Sequence, residues 1–231
     1  MVFYGYDFVG YLLMFLGVII TLSAEYFVNS RFNKYKKVQN KSGLTGVEVA
    51  RKILDANGLN DVYVTEVDGI LSDHYDPNRK VVRLSHDIFH GSTVASSSVA
   101  AHECGHAIQD KEGYFLIKLR GYIFPFVNLV SRFGYLAIFL GFLFNFIDLV
   151  WLGIGLLLVI LIFQLITIPI ELDASNRAKK FLSKEKLLTD SEVDGASDML
   201  KAAAYTYVAS LATTILEILR LVLIASDRDD R

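Results

Sequence analysis

A single cysteine, Cys104, stands among the 231 residues, so no disulfide within the chain is possible. A reducing compartment is compatible with that usage but not required by it. Positive charge is not in excess either. The 23 Lys and Arg face 25 Asp and Glu, for a net charge of -2, which removes the bulk basic surface that nucleic-acid binding relies on. Internal repeats and low-complexity tracts are absent. Lys and Arg are also missing from Met1–Asp7, so the apolar run that follows lacks the basic start of a cleaved signal peptide.

What the chain has instead is apolar length. Hydrophobic residues make up 53% and mean hydropathy is +0.39, against about 45–50% apolar residues in ordinary soluble domains. Phe8–Phe27 is long enough to cross a bilayer core and is read as a retained span, with Glu25 near the interface. Tyr122–Phe146, interrupted by Arg132, and the cleaner Leu149–Ile168 form a hairpin closed by the short loop Asn145–Asp148. Ala202–Ala225 is read as a fourth span or membrane-associated helix. It carries Glu217 and Arg220, three apart on one helix and able to pair. Basic residues follow the first run (Arg31, Lys34, Lys36, Lys37, Lys41), precede the second (Lys111, Lys118, Arg120) and follow the third (Arg177, Lys179, Lys180, Lys184, Lys186). All three flanks share one side if each run spans once, and the positive-inside rule makes that side cytosolic.

Five segments follow: a first span in 1–28, a cytosolic part in 29–121, a membrane hairpin in 122–170, cytosolic helices in 171–201, and the last apolar helix with a polar tail in 202–231. In the first cytosolic part, Thr45 to Glu48 fits a capping box, with Thr45 as N-cap. Val47, Ala50, Ile53 and Leu54 continue it as an apolar helical stripe, and Gly58 is a C-terminal stop. Val62–Val67 alternates and is rich in β-branched residues, so it reads as a strand. Lys80–Leu84 reads as a second, entered through the turn-like Asp76-Pro77-Asn78. After Pro169, Glu171 opens a helix, and Thr189–Lys201 is a capped, partly polar helix.

The residues with the most chemistry are His102-Glu103-Cys104-Gly105-His106, an HExxH run. On a helix, residues four apart share a face, so two imidazoles stand side by side, as half of a tetrahedral zinc site. Glu103 lies about 100° further round, placed to take a proton from a zinc-activated water without ligating the metal. Ser92 or Thr93 caps this helix. Cys104 faces elsewhere and reads as packing. A catalytic zinc normally takes a third protein ligand. His74, His86, His90 and Glu112 are available, but Glu171 is the best placed. It re-emerges where the hairpin returns, beside the point where the second run left. His74 is next in line.

At this point the sequence resembles a family, the neutral zinc metallopeptidases or YugP-like membrane proteins. The matching pieces are Leu71–Pro77, Val99–Ala107, Glu171–Ser175 and Ala202–Val208, in order over nearly the whole chain. More distantly it is similar to the HtpX-like and CAAX prenyl-protein proteases, where a Glu after a membrane hairpin supplies the third ligand. In those relatives an acidic residue four positions later supports a ligand histidine. Here that position is Ser175, whose hydroxyl can still accept from an imidazole. The resemblance implies peptide-bond hydrolysis at the cytosolic face, one catalytic Zn²⁺, a peptide or membrane-protein substrate, and an edge strand, Lys80-Val81-Val82-Arg83-Leu84, that holds it.

The expected architecture is therefore mostly α: a multi-pass helical membrane protein with a small α+β, zincin-like (gluzincin) cytosolic domain. His102, His106 and Glu171 are expected to hold zinc, and Glu103 to act as base. His74 or Tyr75 is the candidate transition-state donor, against a role for both in stabilising the turn, which Asp76 organises. A zinc hydrolase of lipid-linked or other non-peptide amides, or a non-catalytic zinc-bearing membrane scaffold, is the alternative.

Overall fold

A computed structural model describes residues 3–229. In chain order its elements are α1 (Phe3–Tyr35), α2 (Gly46–Ala56), β1 (Tyr63–Val67), β2 (His74–Asp76), β3 (Val81–Ser85), α3 (His86–His90), α4 (Val94–Lys111), α5 (Phe115–Leu143), α6 (Ile147–Lys184) and α7 (Asp190–Asp229). Among the described residues, four helices, α1, α5, α6 and α7, are long and apolar enough to cross a membrane. Positions 1–2 and 230–231 of the outermost expected segments lie outside the described residues.

The chain divides into two compact units. The first holds the residues up to Glu25, Leu119–Ile168 and the residues from Tyr205 onward. Inside it α5 and α6 meet at glycines. A Cβ on Gly153 would lie 2.5 Å from Ile138 Cγ1 and 2.8 Å from the Gly134 carbonyl oxygen, so only hydrogen fits there. Small residues let helix backbones approach where lipid supplies no hydrophobic drive. Glu217 and Arg220 do pair, with Arg220 Nε and Nη2 donating to the carboxylate at 3.0 and 2.8 Å.

The second unit is Tyr26–Lys118 with Pro169–Ala204. Its core contains Ile53, Leu54, Val82, Leu84, Ile88, Ile108 and Leu182. The Thr45 amide donates to Glu48 Oε2 at 2.8 Å, which closes the N-terminus of α2, and Gly58 leaves that helix at a φ of 64°. The sheet order is β1-β3-β2. β1 runs parallel to β3 from Tyr63↔Val81 to Val67↔Ser85, and β2 runs antiparallel from His74↔Arg83 to Asp76↔Val81.

Three expectations are corrected. Lys80–Leu84 is not an edge: β3 is the central strand, paired along both sides, and Lys80 lies just before it with a φ of 49°. The strand that closes its second side, β2, has only three residues, too few to show the period-2 alternation that signals a strand. Asp76 does organise the turn that follows, accepting from the Asn78 and Arg79 amides at 3.0 and 3.2 Å. Pro169 does not separate two helices but lies inside α6. A proline forfeits one intrahelical bond at a cost of about 3 kcal/mol, while the remaining ladder of a 38-residue helix survives. Likewise the polar Thr189–Lys201 stretch and the apolar Ala202–Ala225 stretch belong to one helix, α7. No helix breaker stands between them.

Gly153→Ala forces the α5 and α6 backbones apart, and overpacking of this kind costs about 1–3 kcal/mol. Gly155→Ala, where nothing lies within 4 Å of the new carbon, is the control. Thermal unfolding in detergent should fall by several degrees for the first and not for the second; equal midpoints would remove the packing argument.

Candidate metal centre

The HExxH run sits in the middle of α4. Thr93 caps this helix, its hydroxyl accepting from the Ser96 amide at 3.1 Å. Ala100, Ala101, Cys104, Ala107 and Ile108 enter the hydrophobic core. Cys104 is buried there with its thiol toward the Ala50 carbonyl, and burial pushes that thiol well above its ordinary pKa. It packs, as its position two residues from each histidine suggested.

Gly105 faces α6. A Cβ there would lie 2.7 Å from the Ala174 carbonyl oxygen and 3.1 Å from Ala174 Cα, so hydrogen is what lets the two backbones meet. One turn before Ala174, Glu171 then falls opposite the histidines. Glu171 Oε2 lies 3.3 Å from His102 Nε2 and 3.5 Å from His106 Nε2. The rings stand 4.8 Å apart and nearly perpendicular, at 86°. Donor atoms of all three residues lie within 4.8 Å of one another, close enough to hold one metal ion. Tetrahedral ligands about 2.0–2.1 Å from zinc sit about 3.3 Å from each other. The two nitrogen–oxygen separations match that spacing, and two imidazoles with one carboxylate are a donor set that zinc takes, so the residues fit the ion.

Burial alone would raise the Glu171 carboxyl, which is only 3% exposed. Its hydrogen bonds with both histidines outweigh burial and hold it well below the usual carboxylate range, as an anion. Burial likewise pushes His106 down, and the bond to Glu171 overcomes it and raises the imidazole above its ordinary value.

The far nitrogens are also held. His102 Nδ1 lies 3.2 Å from Ser175 Oγ. His106 Nδ1 lies 3.0 Å from Gln109 Oε1, a partner the sequence reading missed. Gln109 is fully buried, and its Nε2 donates to the Ile170 carbonyl at 2.9 Å and to Asp173 Oδ2 at 2.8 Å. Both of those partners only accept, so the amide can be turned only one way. Oε1 must then accept from His106 Nδ1–H, leaving Nε2 as the nitrogen turned toward Glu171. The available signal was the position of Gln109, three residues after His106 on the same helix. Asp173 is tied in turn to Arg177, which also reaches Glu112 at 2.7 Å. Glu112 is therefore engaged away from the histidines. Glu103 is 8% exposed, one residue along from His102 on α4.

The structure places the other candidates differently. His74 is exposed and donates from Nδ1 to the Ser72 carbonyl at 2.7 Å. Tyr75, half-buried, donates to Asp110 Oδ2 on α4 at 3.0 Å. Burial and Asp110 hold that phenol well above its ordinary pKa, so it stays protonated. The hydrogen bonds of both residues thus go to Ser72 and Asp110 and not to His102, His106 or Glu171. His86 and His90 gather instead around Glu66.

A family described as "Putative neutral zinc metallopeptidase" matches residues 10–226. The chain belongs to this family. A relative from Bacillus subtilis (strain 168), "Putative membrane protease YugP", is 47% identical over 201 residues, covering 87% of this chain and 89% of its own length. No solved structure matches the chain. The family match encloses α4 and the Glu171–Ser175 stretch, so the buried donor set lies within the shared sequence.

If Gln109 fixes His106, then Gln109→Leu leaves a buried N–H without a partner and lets the ring turn. Zinc affinity, read by competition with a chromophoric chelator, should fall by about 10–100-fold, the usual cost of losing such a support. Unchanged affinity would assign the ring's orientation to other contacts.

Proposed function

We propose that this protein is a membrane-bound zinc metallopeptidase of gluzincin type. The reading is carried by one observation: His102, His106 and Glu171 converge to zinc-ligand spacing, with Glu103 next to the first histidine on the same helix. The family supports zinc and peptide chemistry. When bound, zinc is a Lewis acid that polarises the scissile carbonyl and makes water acidic enough to react near neutral pH.

The chain's own residues do the rest. His102, His106 and Glu171 hold the ion, with Ser175 and Gln109 keeping the imidazoles turned to it. Glu103 takes the proton of the attacking water on a carboxylate oxygen and returns it to the departing amine nitrogen. Tyr75 remains a candidate donor to the developing oxyanion only by exchanging its bond to Asp110 for one to substrate, since a phenol has one proton to give. His74 faces solvent. With β3 enclosed, the open edge nearest α4 belongs to β2, and an extended substrate can add there as a further strand.

The distribution of Lys and Arg supports a multi-pass topology with the N-terminus and the Asn145–Asp148 loop outside and the metal centre on the cytosolic side.

Glu103→Gln should keep its zinc and lose about 10²–10⁴-fold in peptide cleavage, as general-base loss does. Metal analysis alongside a cleavage assay reads both, and near-normal turnover sinks the mechanism. For topology, single cysteines at positions 36 and 147 in a Cys104→Ala background should behave oppositely toward an impermeant reagent on intact cells. Labelling at 147 and protection at 36 are expected; the reverse pattern puts the centre outside.

A further inference from the structure

A second group of donors stands apart from α4. Glu66 lies near the end of β1, and His86 and His90 lie on α3, which begins where β3 ends. Because β1 and β3 are parallel, their C-terminal ends leave the sheet together, with Glu66 beside Leu84 in the register. That topology brings the carboxylate to the foot of α3. Glu66 Oε1 lies 2.5 Å from His86 Nδ1, and Oε2 lies 3.1 Å from His90 Nε2. The two histidines are four apart, and their ring centroids are 4.8 Å apart, the same separation as in the His102–His106 pair. Donor atoms of all three residues lie within 4.8 Å of one another.

We propose that Glu66, His86 and His90 form a second metal site, for a divalent transition ion such as Zn²⁺. Two imidazoles and one carboxylate favour borderline ions over Ca²⁺ or Mg²⁺, which prefer oxygen donors. Ligands around tetrahedral zinc sit about 3.3 Å apart. The His90 contact already has nearly that spacing, and the His86 contact reaches it by a small opening of exposed side chains. Two imidazoles already gathered on one carboxylate leave little side-chain ordering for an ion to impose.

The site binds and does not hydrolyse. His86-Asp87-Ile88-Phe89-His90 repeats the spacing of the HExxH run, with Asp87 where Glu103 stands. Asp87, however, is paired with Lys36 at 2.5 Å, which occupies the carboxylate a base would need free. The His86, His90 and Glu66 side chains are 73%, 55% and 41% exposed, so no water-excluding pocket surrounds them. An ion here ties β1 to α3. From α3 the chain passes through Gly91–Thr93 directly into α4, and Ser96 Oγ donates back to the Asp87 carbonyl at 3.3 Å. The second ion is therefore a brace on the N-terminal end of the helix that carries His102 and His106.

The test is zinc stoichiometry on full-length protein in detergent, stripped with a chelator, reloaded with Zn²⁺ and desalted. The parent should carry one more equivalent per chain than the His86→Ala/His90→Ala double variant. Added Zn²⁺ should also raise the parent's unfolding temperature more than the variant's. Glu171→Ala protein should keep the equivalent that the double variant loses, so the outcome does not depend on the buried centre being catalytic. All three ligands are exposed, and the changes carry little folding risk; should the double variant fail to fold, His90→Gln is read in the same way. Equal zinc content in parent and variant overturns the proposal.

Discussion

At the candidate metal centre the α4 and α6 backbones meet at Gly105 and Ala174. No side chain fits between them, and the rest of the site depends on that distance. It puts Glu171 of one helix against His102 and His106 of the other. It also brings the Ile170 carbonyl and Asp173 within reach of Gln109. A wider spacing would leave a buried carboxylate without its partners, and the penalty for an unpaired buried charge is several kcal/mol. The close approach is therefore a requirement of the polar groups as much as a result of packing.

Those polar groups form a connected set. His106 leans on Gln109, Gln109 on Asp173 and Ile170, Asp173 on Arg177, and Arg177 on Glu112. Buried networks are stable when each member is satisfied and costly when one is not. Here the chain of bonds runs outward from the imidazole to a solvent-exposed glutamate, so the last charges are hydrated. The apolar side of α4 meets the core through small residues, Ala100, Ala101 and Ala107, which lets the helix sit deep while its other side carries the donors. The two imidazoles are held at their far nitrogens by Ser175 and Gln109.

Two clusters in this unit share one pattern, histidines four apart with a glutamate brought in from another element. Their surroundings differ. Around Glu171 the carboxylate is buried and neighbours hold the far nitrogens; around Glu66 the side chains face water and the adjacent acid is paired with Lys36. Burial and the neighbours that hold the far nitrogens are what distinguish the two clusters. A spacing motif read from sequence carries neither property.

The sequence by itself determined what local physics controls. Four apolar runs became long helices because their length and composition leave few alternatives. Thr93 and Thr45 mark helix starts because capping involves residues only three apart. The spacing of His102 and His106 put them on one face, and Glu171 followed from the return of a hairpin. Tertiary structure decided the remainder. β2 exists because β3 offers it a partner, and three residues carry no periodicity of their own. α6 runs through Pro169, and α7 joins a polar to an apolar stretch, because an established helix tolerates local interruptions that read as boundaries. Gln109 finds Ile170 across 61 positions, and Glu66 finds His86 across 20. Such bonds depend on where the folded backbone places each group, and no local pattern of residues encodes that position.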